Sequence, residues 1–177
     1  MQNMVKRIAI TGPESTGKSF LAEQLSNYFN EPWVPEYSRE YLKNIALNYQ
    51  FDDIEKIARE QLKRENLFLG KANSLIFCDT DFTVAKIWSE EVFGSCSGWV
   101  NDMFYKNIYD LYLLCVPDIP WHPDPLRQNP NDRERLFAKY LSALKHINAN
   151  YYVIEGLGDE RLKKAVSFVK QFLSSEK

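Results

Sequence analysis

The chain has 177 residues, 45% of them apolar and 26% charged, with a net charge of −2. That length suits one sizeable α/β domain around a proper core and is short for two. A pI near 5.8 leaves no electrostatic footprint of a nucleic-acid binder, and no apolar run approaches a membrane span.

In chain order, "VKRIAIT" (5–11) reads as a short strand. Residues 17–29 read as a helix with apolar Leu21, Leu25 and Tyr28, and "PWVPEY" (32–37) as an extended piece punctuated by two prolines. Residues 38–48 read as a helix. A longer one spans about 53–70, with Asp52 and Glu55 in capping-box spacing and a stripe of Ile54, Ile57, Ala58 and Leu62. "SLIFCDTD" (74–81) is a buried strand ending in acid. Helices follow at 82–92 and about 99–108, then the buried strand "DLYLLCV" (110–116). A helix from about 132 carries Phe137, Tyr140, Leu141 and Leu144 at i, i+3, i+4, i+7. "YYVIEG" (151–156) is the last strand, and 159–174 the closing helix.

Five short apolar runs without alternation suit a parallel sheet covered on both faces, and the helices between them suit right-handed crossovers. The fold class is therefore α/β, doubly wound, in one domain over residues 1–177. The N-terminus shows no signal-peptide pattern, and Cys78, Cys96 and Cys115 have no metal-binding spacing. Together these predict a reduced, cytoplasmic compartment.

Residues 12–19, "GPESTGKS", match G-x-x-x-x-G-K-[ST] without a gap. Chance produces such a match in roughly one chain in 200 of this length, and the required strand before it and helix after it are both present. The match predicts a P-loop NTPase fold. Gly12 and Gly17 permit the turn, and the N–H groups of Glu14, Ser15, Thr16, Gly17, Lys18, Ser19 and neighbouring Phe20 face a polyphosphate at a helix N-terminus. Lys18 reaches the β- and γ-phosphates of ATP, and the Ser19 hydroxyl becomes a ligand of Mg²⁺. Asp79, closing the strand "SLIFC", is the second candidate for that cation. A helix N-cap is its alternative use.

The remaining polar residues suit transfer to a small molecule more than to water or a protein. Ligands of doubly wound sheets sit beyond the carboxyl ends of strands, so Glu36 and Asp81 are expected to share a crevice with the P-loop. Either could accept a hydroxyl proton, with Glu36 preferred. Arg39 is placed to pair with Glu36. The segment 117–131 holds five of the eight prolines, and a loop so long in a compact domain reads as functional. With the start of the next helix it forms a candidate lid, about 117–135, in which Arg127 and Arg133 (or Arg135) cover the transferring phosphoryl group. Cations in a helix's first turn oppose its dipole, which makes more sense if an anion arrives. Trp121 and Trp88 are candidates for stacking on an acceptor ring, with Tyr37 weaker; Trp88 suits the core equally well. Gly156 and Gly158 either pass under adenine or form an ordinary turn.

The stretches "GPESTGKS", "VPEYSREYL", "FCDTD" and "DLYLLCVPDIPW" with "DPLR" together resemble the ribosylnicotinamide kinase domain of NadR-type proteins, over nearly the whole chain. The resemblance implies a sheet order of 2-3-1-4-5. It also implies ATP-dependent phosphorylation of the 5′-hydroxyl of nicotinamide riboside to the mononucleotide. Lys18 and Ser19 would serve ATP and Mg²⁺, while Glu36, Asp81 and the Trp121 loop face the riboside. Full NadR proteins also resemble fusions with an adenylyltransferase. Here there are two histidines, neither in an H-x-G-H arrangement, so adenylyl transfer and repressor function are not carried over. The expected partner is a small-molecule substrate, with no nucleic acid and no membrane; oligomeric state is not legible. A kinase for another nucleoside or nucleotide, or a nucleotide-binding switch, are the other readings.

Overall fold

The computed structural model describes residues 5–46, 48–124 and 131–175. Twelve elements follow one another along them: β1 (Lys6–Thr11), α1 (Lys18–Phe29), β2 (Trp33–Val34), α2 (Ser38–Asn44), α3 (Phe51–Leu69), β3 (Leu75–Asp79), α4 (Phe82–Phe93), α5 (Gly98–Lys106), β4 (Leu111–Cys115), α6 (Arg133–His146), β5 (Tyr151–Ile154) and α7 (Gly158–Ser175). The strands form one parallel sheet in the order β2-β3-β1-β4-β5, the order the resemblance implied. No helix among the described residues is long and apolar enough to cross a membrane.

The unalternating strand sequences follow from burial on both faces. Successive side chains point to opposite sides, and here both sides are core. Ile8, Ile10, Phe77 and Leu113 meet α1 and α7 through residues such as Leu21, Leu25 and Val169. Ala9, Ile76, Cys78 and Leu114 face the opposite core, built with Phe82, Val100 and Leu144 from α4, α5 and α6. Full burial of each large aliphatic contributes about 1.5–3 kcal/mol. Cys78 and Cys115 are buried among these apolar side chains, and Cys96 is half-buried.

Two boundaries differ from expectation. The capping box of α3 is formed by Gln50 and Asp53, not by Asp52 and Glu55. Gln50 is extended, and its N–H donates to Asp53 Oδ2 at 2.8 Å, so the helix begins two residues earlier. Glu55 instead accepts from Arg59 one turn on. Helix α2 stops at Asn44, four residues short of expectation, where Ala46 takes a left-handed conformation with φ 48°. In α6 the most buried edge runs through Leu136, Tyr140 and Leu144, with Phe137 and Leu141 flanking it.

Candidate active site

The loop between β1 and α1 wraps tightly because two positions have no Cβ. A Cβ on Gly12 (φ +126°) would lie 2.8 Å from the Cys115 carbonyl oxygen, inside contact distance with β4 backbone. Gly17 (φ +76°) is the N-cap of α1. Both conformations are ones that L side chains rarely adopt. Lys18 Nζ lies over the loop and donates to the carbonyls of Gly12 (2.9 Å) and Pro13 (2.7 Å). The ammonium is therefore held at the centre of the cradle, at the N-terminus of α1, where an anion is favoured.

Asp79, the last residue of β3, is buried beside this loop. Burial, then the negative charge of Glu36, pushes its carboxyl up to about 6; a hydrogen bond from Ser19 and the charges of Lys18 and Arg39 oppose that. Among the described residues its Oδ1 has no hydrogen-bond partner. A buried carboxylate oxygen without a partner, next to a hydroxyl and the P-loop lysine, fits a hard cation. Magnesium takes few protein oxygens and fills its shell with water and phosphate, so Ser19 and Asp79 suffice.

A cavity of about 490 Å³ opens from the P-loop, whose residues 12–20 form one wall, and runs past Asp79. Glu36, Arg39, Tyr49 and Trp88 line it too. Glu36 is fixed in this wall: Ser38 Oγ donates to its Oε1 at 2.7 Å, and Arg39 Nε lies 3.3 Å from its Oε2. Arg39 Nη1 also donates to Asp124 Oδ2 at 3.0 Å, tying the proline-rich segment to the acid. Trp88 faces the cavity and donates its indole N–H to Tyr49 Oη at 3.0 Å. It resolves the choice between core and pocket as pocket wall.

Several of the expected site residues do not line this cavity. Asp81 lines a smaller neighbouring cavity with Glu36 and Trp88, not the P-loop cavity. It is the N-cap of α4, accepting from Val84 N at 3.1 Å and Thr11 Oγ1 at 2.8 Å, and is 4% exposed. An extended residue before a helix turns its short carboxylate onto the free N–H groups, and so away from solvent. Trp121 is not in the cavity wall; its ring lies 5.8 Å from the Arg133 guanidinium carbon. Tyr37 is also outside it, with Arg64 stacked on its ring at 4.2 Å. Gly156 and Gly158 are not among the cavity's lining residues; Gly156 N donates to Asp118 at 2.6 Å.

The start of the proline-rich segment lies on the P-loop, where His122 N donates to Ser15 Oγ at 3.1 Å. Arg133, first residue of α6, donates to the carbonyls of Ser15 (3.0 Å) and Ile119 (2.9 Å). Arg135, its alternative, is spent on Glu91 and Asp132. Arg127 lies outside the described residues. One residue of the cavity wall was missed in the sequence: Tyr49 sits in an unpatterned connection.

A parallel sheet of this order, with a phosphate-binding loop after its first strand and a buried acid at the end of the adjacent one, defines a P-loop nucleotide-binding protein. A family model described as an AAA domain matches residues 7–161, and the chain belongs to that family. The trifunctional NAD biosynthesis/regulator protein NadR of Salmonella typhimurium is 30% identical over 97% of this chain. The chain spans 44% of that relative's length. A crystal structure of NadR protein in complex with NR superposes with a TM-score of 0.79 at 19% identity, over 96% of this chain and 52% of the other. One of NadR with NAD and AMP-PNP gives 0.76 at 19% identity, over 96% and 50%. At that identity the two structures speak for the fold.

Proposed function

We propose that this chain is an ATP-dependent small-molecule kinase acting on the 5′-hydroxyl of nicotinamide riboside, with the other nucleosides as competing acceptors. The observation that carries the reading is that the phosphate cradle, Asp79, Glu36 and the Trp88–Tyr49 pair share one cavity. We read the NR bound by the NadR relative as nicotinamide riboside, and the AMP-PNP of the second NadR structure is an ATP analogue, in keeping with this.

The cradle binds the triphosphate through backbone N–H groups and Lys18. When bound, Mg²⁺ held by Ser19 and Asp79 supplies charge neutralisation on the phosphates. Trp88 and Tyr49 offer flat faces to an acceptor ring, and a cationic ring gains from them. Glu36, held by Ser38 and Arg39, accepts the proton of the acceptor hydroxyl. The hydroxyl oxygen bonds to the γ-phosphorus, the bond to the β,γ-bridging oxygen breaks, and ADP leaves with that electron pair. Arg133, at the P-loop edge, is placed to neutralise charge on the moving group. A water-excluding wall is needed because water competes as acceptor, and the segment from residue 117 is our candidate for part of it.

The test is ATP consumption by the purified protein with Mg²⁺, with and without nicotinamide riboside, reading the acceptor by mass. Strong stimulation, with ADP and the mononucleotide formed in equal amounts, supports the reading. Stimulation by a different nucleoside keeps the kinase and replaces the acceptor. Slow turnover indifferent to every acceptor overturns it in favour of a nucleotide-dependent switch.

A further inference from the structure

A P-loop can aim its N–H groups at phosphate only if the alternate carbonyls of the same peptides turn outward. Outward carbonyls that are buried need donors of their own. In this protein two consecutive carbonyls have guanidinium donors from two different helices. Ser15 O receives Arg133 from α6. Thr16 O receives Arg161 Nη2 from α7, at 2.9 Å.

Arg161 is the deeper of the two, at 6% exposure. The same Nη2 donates to Val116 O, just after β4, at 3.0 Å. Its Nη1 donates to Asp118 Oδ1 at 2.6 Å and to Gly156 O, after β5, at 2.8 Å. Asp118 closes the arrangement by accepting from Gly156 N through its other oxygen, at 2.6 Å. One planar cation thus ties together the loops that follow β1, β4 and β5. A lysine ammonium is a point charge without that fork and cannot meet four acceptors spread over two nitrogens.

We propose that Arg161 is a positioning residue for nucleotide binding: by holding the Thr16 carbonyl outward it sets the phosphate-binding face of the P-loop, and through Asp118 and Gly156 it locks that face to the neighbouring loops. This rests on the reading of the P-loop as the site of Mg·ATP. Arg161 touches no reacting atom in this scheme and is not among the residues that line the cavity with Glu36 and Trp88.

The experiment measures Mg·ATP binding at equilibrium, KM for ATP and for acceptor, and thermal stability, for the wild type, Arg161→Lys, Arg161→Met and Asp118→Asn. Arg161→Lys is expected to raise the KM and Kd for Mg·ATP at least tenfold while the acceptor KM stays within twofold. Arg161→Met is expected to do more, and millimolar methylguanidinium to recover part of its ATP affinity. Should Arg161→Met not fold, Asp118→Asn tests the same contact from its exposed end, with an expected rise in ATP KM of threefold or more. Variants that lose thermal stability but shift ATP and acceptor KM equally, or not at all, overturn the proposal. A wild type that binds no Mg·ATP overturns the nucleotide reading together with it. A wild type that binds Mg·ATP no more tightly than Arg161→Lys overturns the Arg161 role alone.

Discussion

Arg133 Nη1 donates to the carbonyl oxygen of Ser15 at 3.0 Å, so the first residue of α6 rests on the rim of the phosphate loop. An unpaired cation at a helix start is unfavourable in isolation. Here a carbonyl acceptor and a nearby anion site give it a use. Arg135, two residues on, is an exposed partner of Glu91 and Asp132.

The two arginines are expected to behave differently. Arg133→Ala should lower kcat/KM for ATP by about tenfold or more, because it removes a positioned donor at a site of developing charge. Arg135→Ala removes a solvent-exposed pair and should leave both the melting temperature and turnover nearly unchanged. Steady-state kinetics and a melting curve on each variant separate the two. Equal loss of turnover would place Arg135 at the phosphates as well.

Glu36 and Asp81 should part along the line between chemistry and stability. Glu36→Gln is expected to slow transfer by about 10²–10⁴-fold, the usual range for losing a general base, with little change in denaturation midpoint. Asp81→Ala deletes the cap of α4 and the partner of Thr11, and should destabilise the fold by about 1–2 kcal/mol. It should retain transfer wherever it is folded. Product formation alongside urea titration reads both. A folded Asp81→Ala as inactive as Glu36→Gln would return Asp81 to the reaction.

Glu65, on α3, is fully buried and accepts from Tyr109 Oη at 3.0 Å. Burial pushes its carboxyl up to about 7, against the opposing pull of Arg7 and the Tyr109 bond. In the unfolded chain the same group titrates near 4.5. Between those values the native state binds more protons, so this contribution is full below about 4.5 and is lost as pH rises through about 7. Asp53 and Glu91 are shifted the other way, to about 2, and their contributions fade only as pH falls below the ordinary carboxylate range. Urea midpoints from pH 5 to 8 should therefore fall with pH in the wild type. They should fall less steeply in Glu65→Gln. Parallel curves would mean that Glu65 ionises normally in the fold.

Contiguity governs what could be read from the sequence. The cradle lies within eight consecutive residues and the Glu36–Arg39 pair within four, so local spacing exposed both. The strands were legible because burial on both faces leaves unbroken apolar runs. Asp81 was half legible: a carboxylate at a strand's end can line a crevice or cap the next helix, and here it caps α4 while lining the smaller cavity with Glu36. Arg161 gathers acceptors 5, 43, 45 and 145 residues away. Only the folded sheet brings those loops together. Tyr49 joins the cavity wall through a contact with Trp88 39 positions distant, which no periodicity announces.

The margin of the sheet at β2 is two residues long and lies between Pro32 and Pro35. Its Pro32 carbonyl is already taken by Phe77 N at 3.1 Å. A strand edge recruits other chains through rows of free amides, and proline has none to give. A second molecule arriving at this side would find scarcely one rung of a ladder to grip. The molecule is thus guarded against fibril-like stacking on the flank that borders its cavity at Trp33 and Pro35. The other flank, β5, presents a four-residue strand with Val153 open to solvent, and strand-to-strand association between copies would have to begin there.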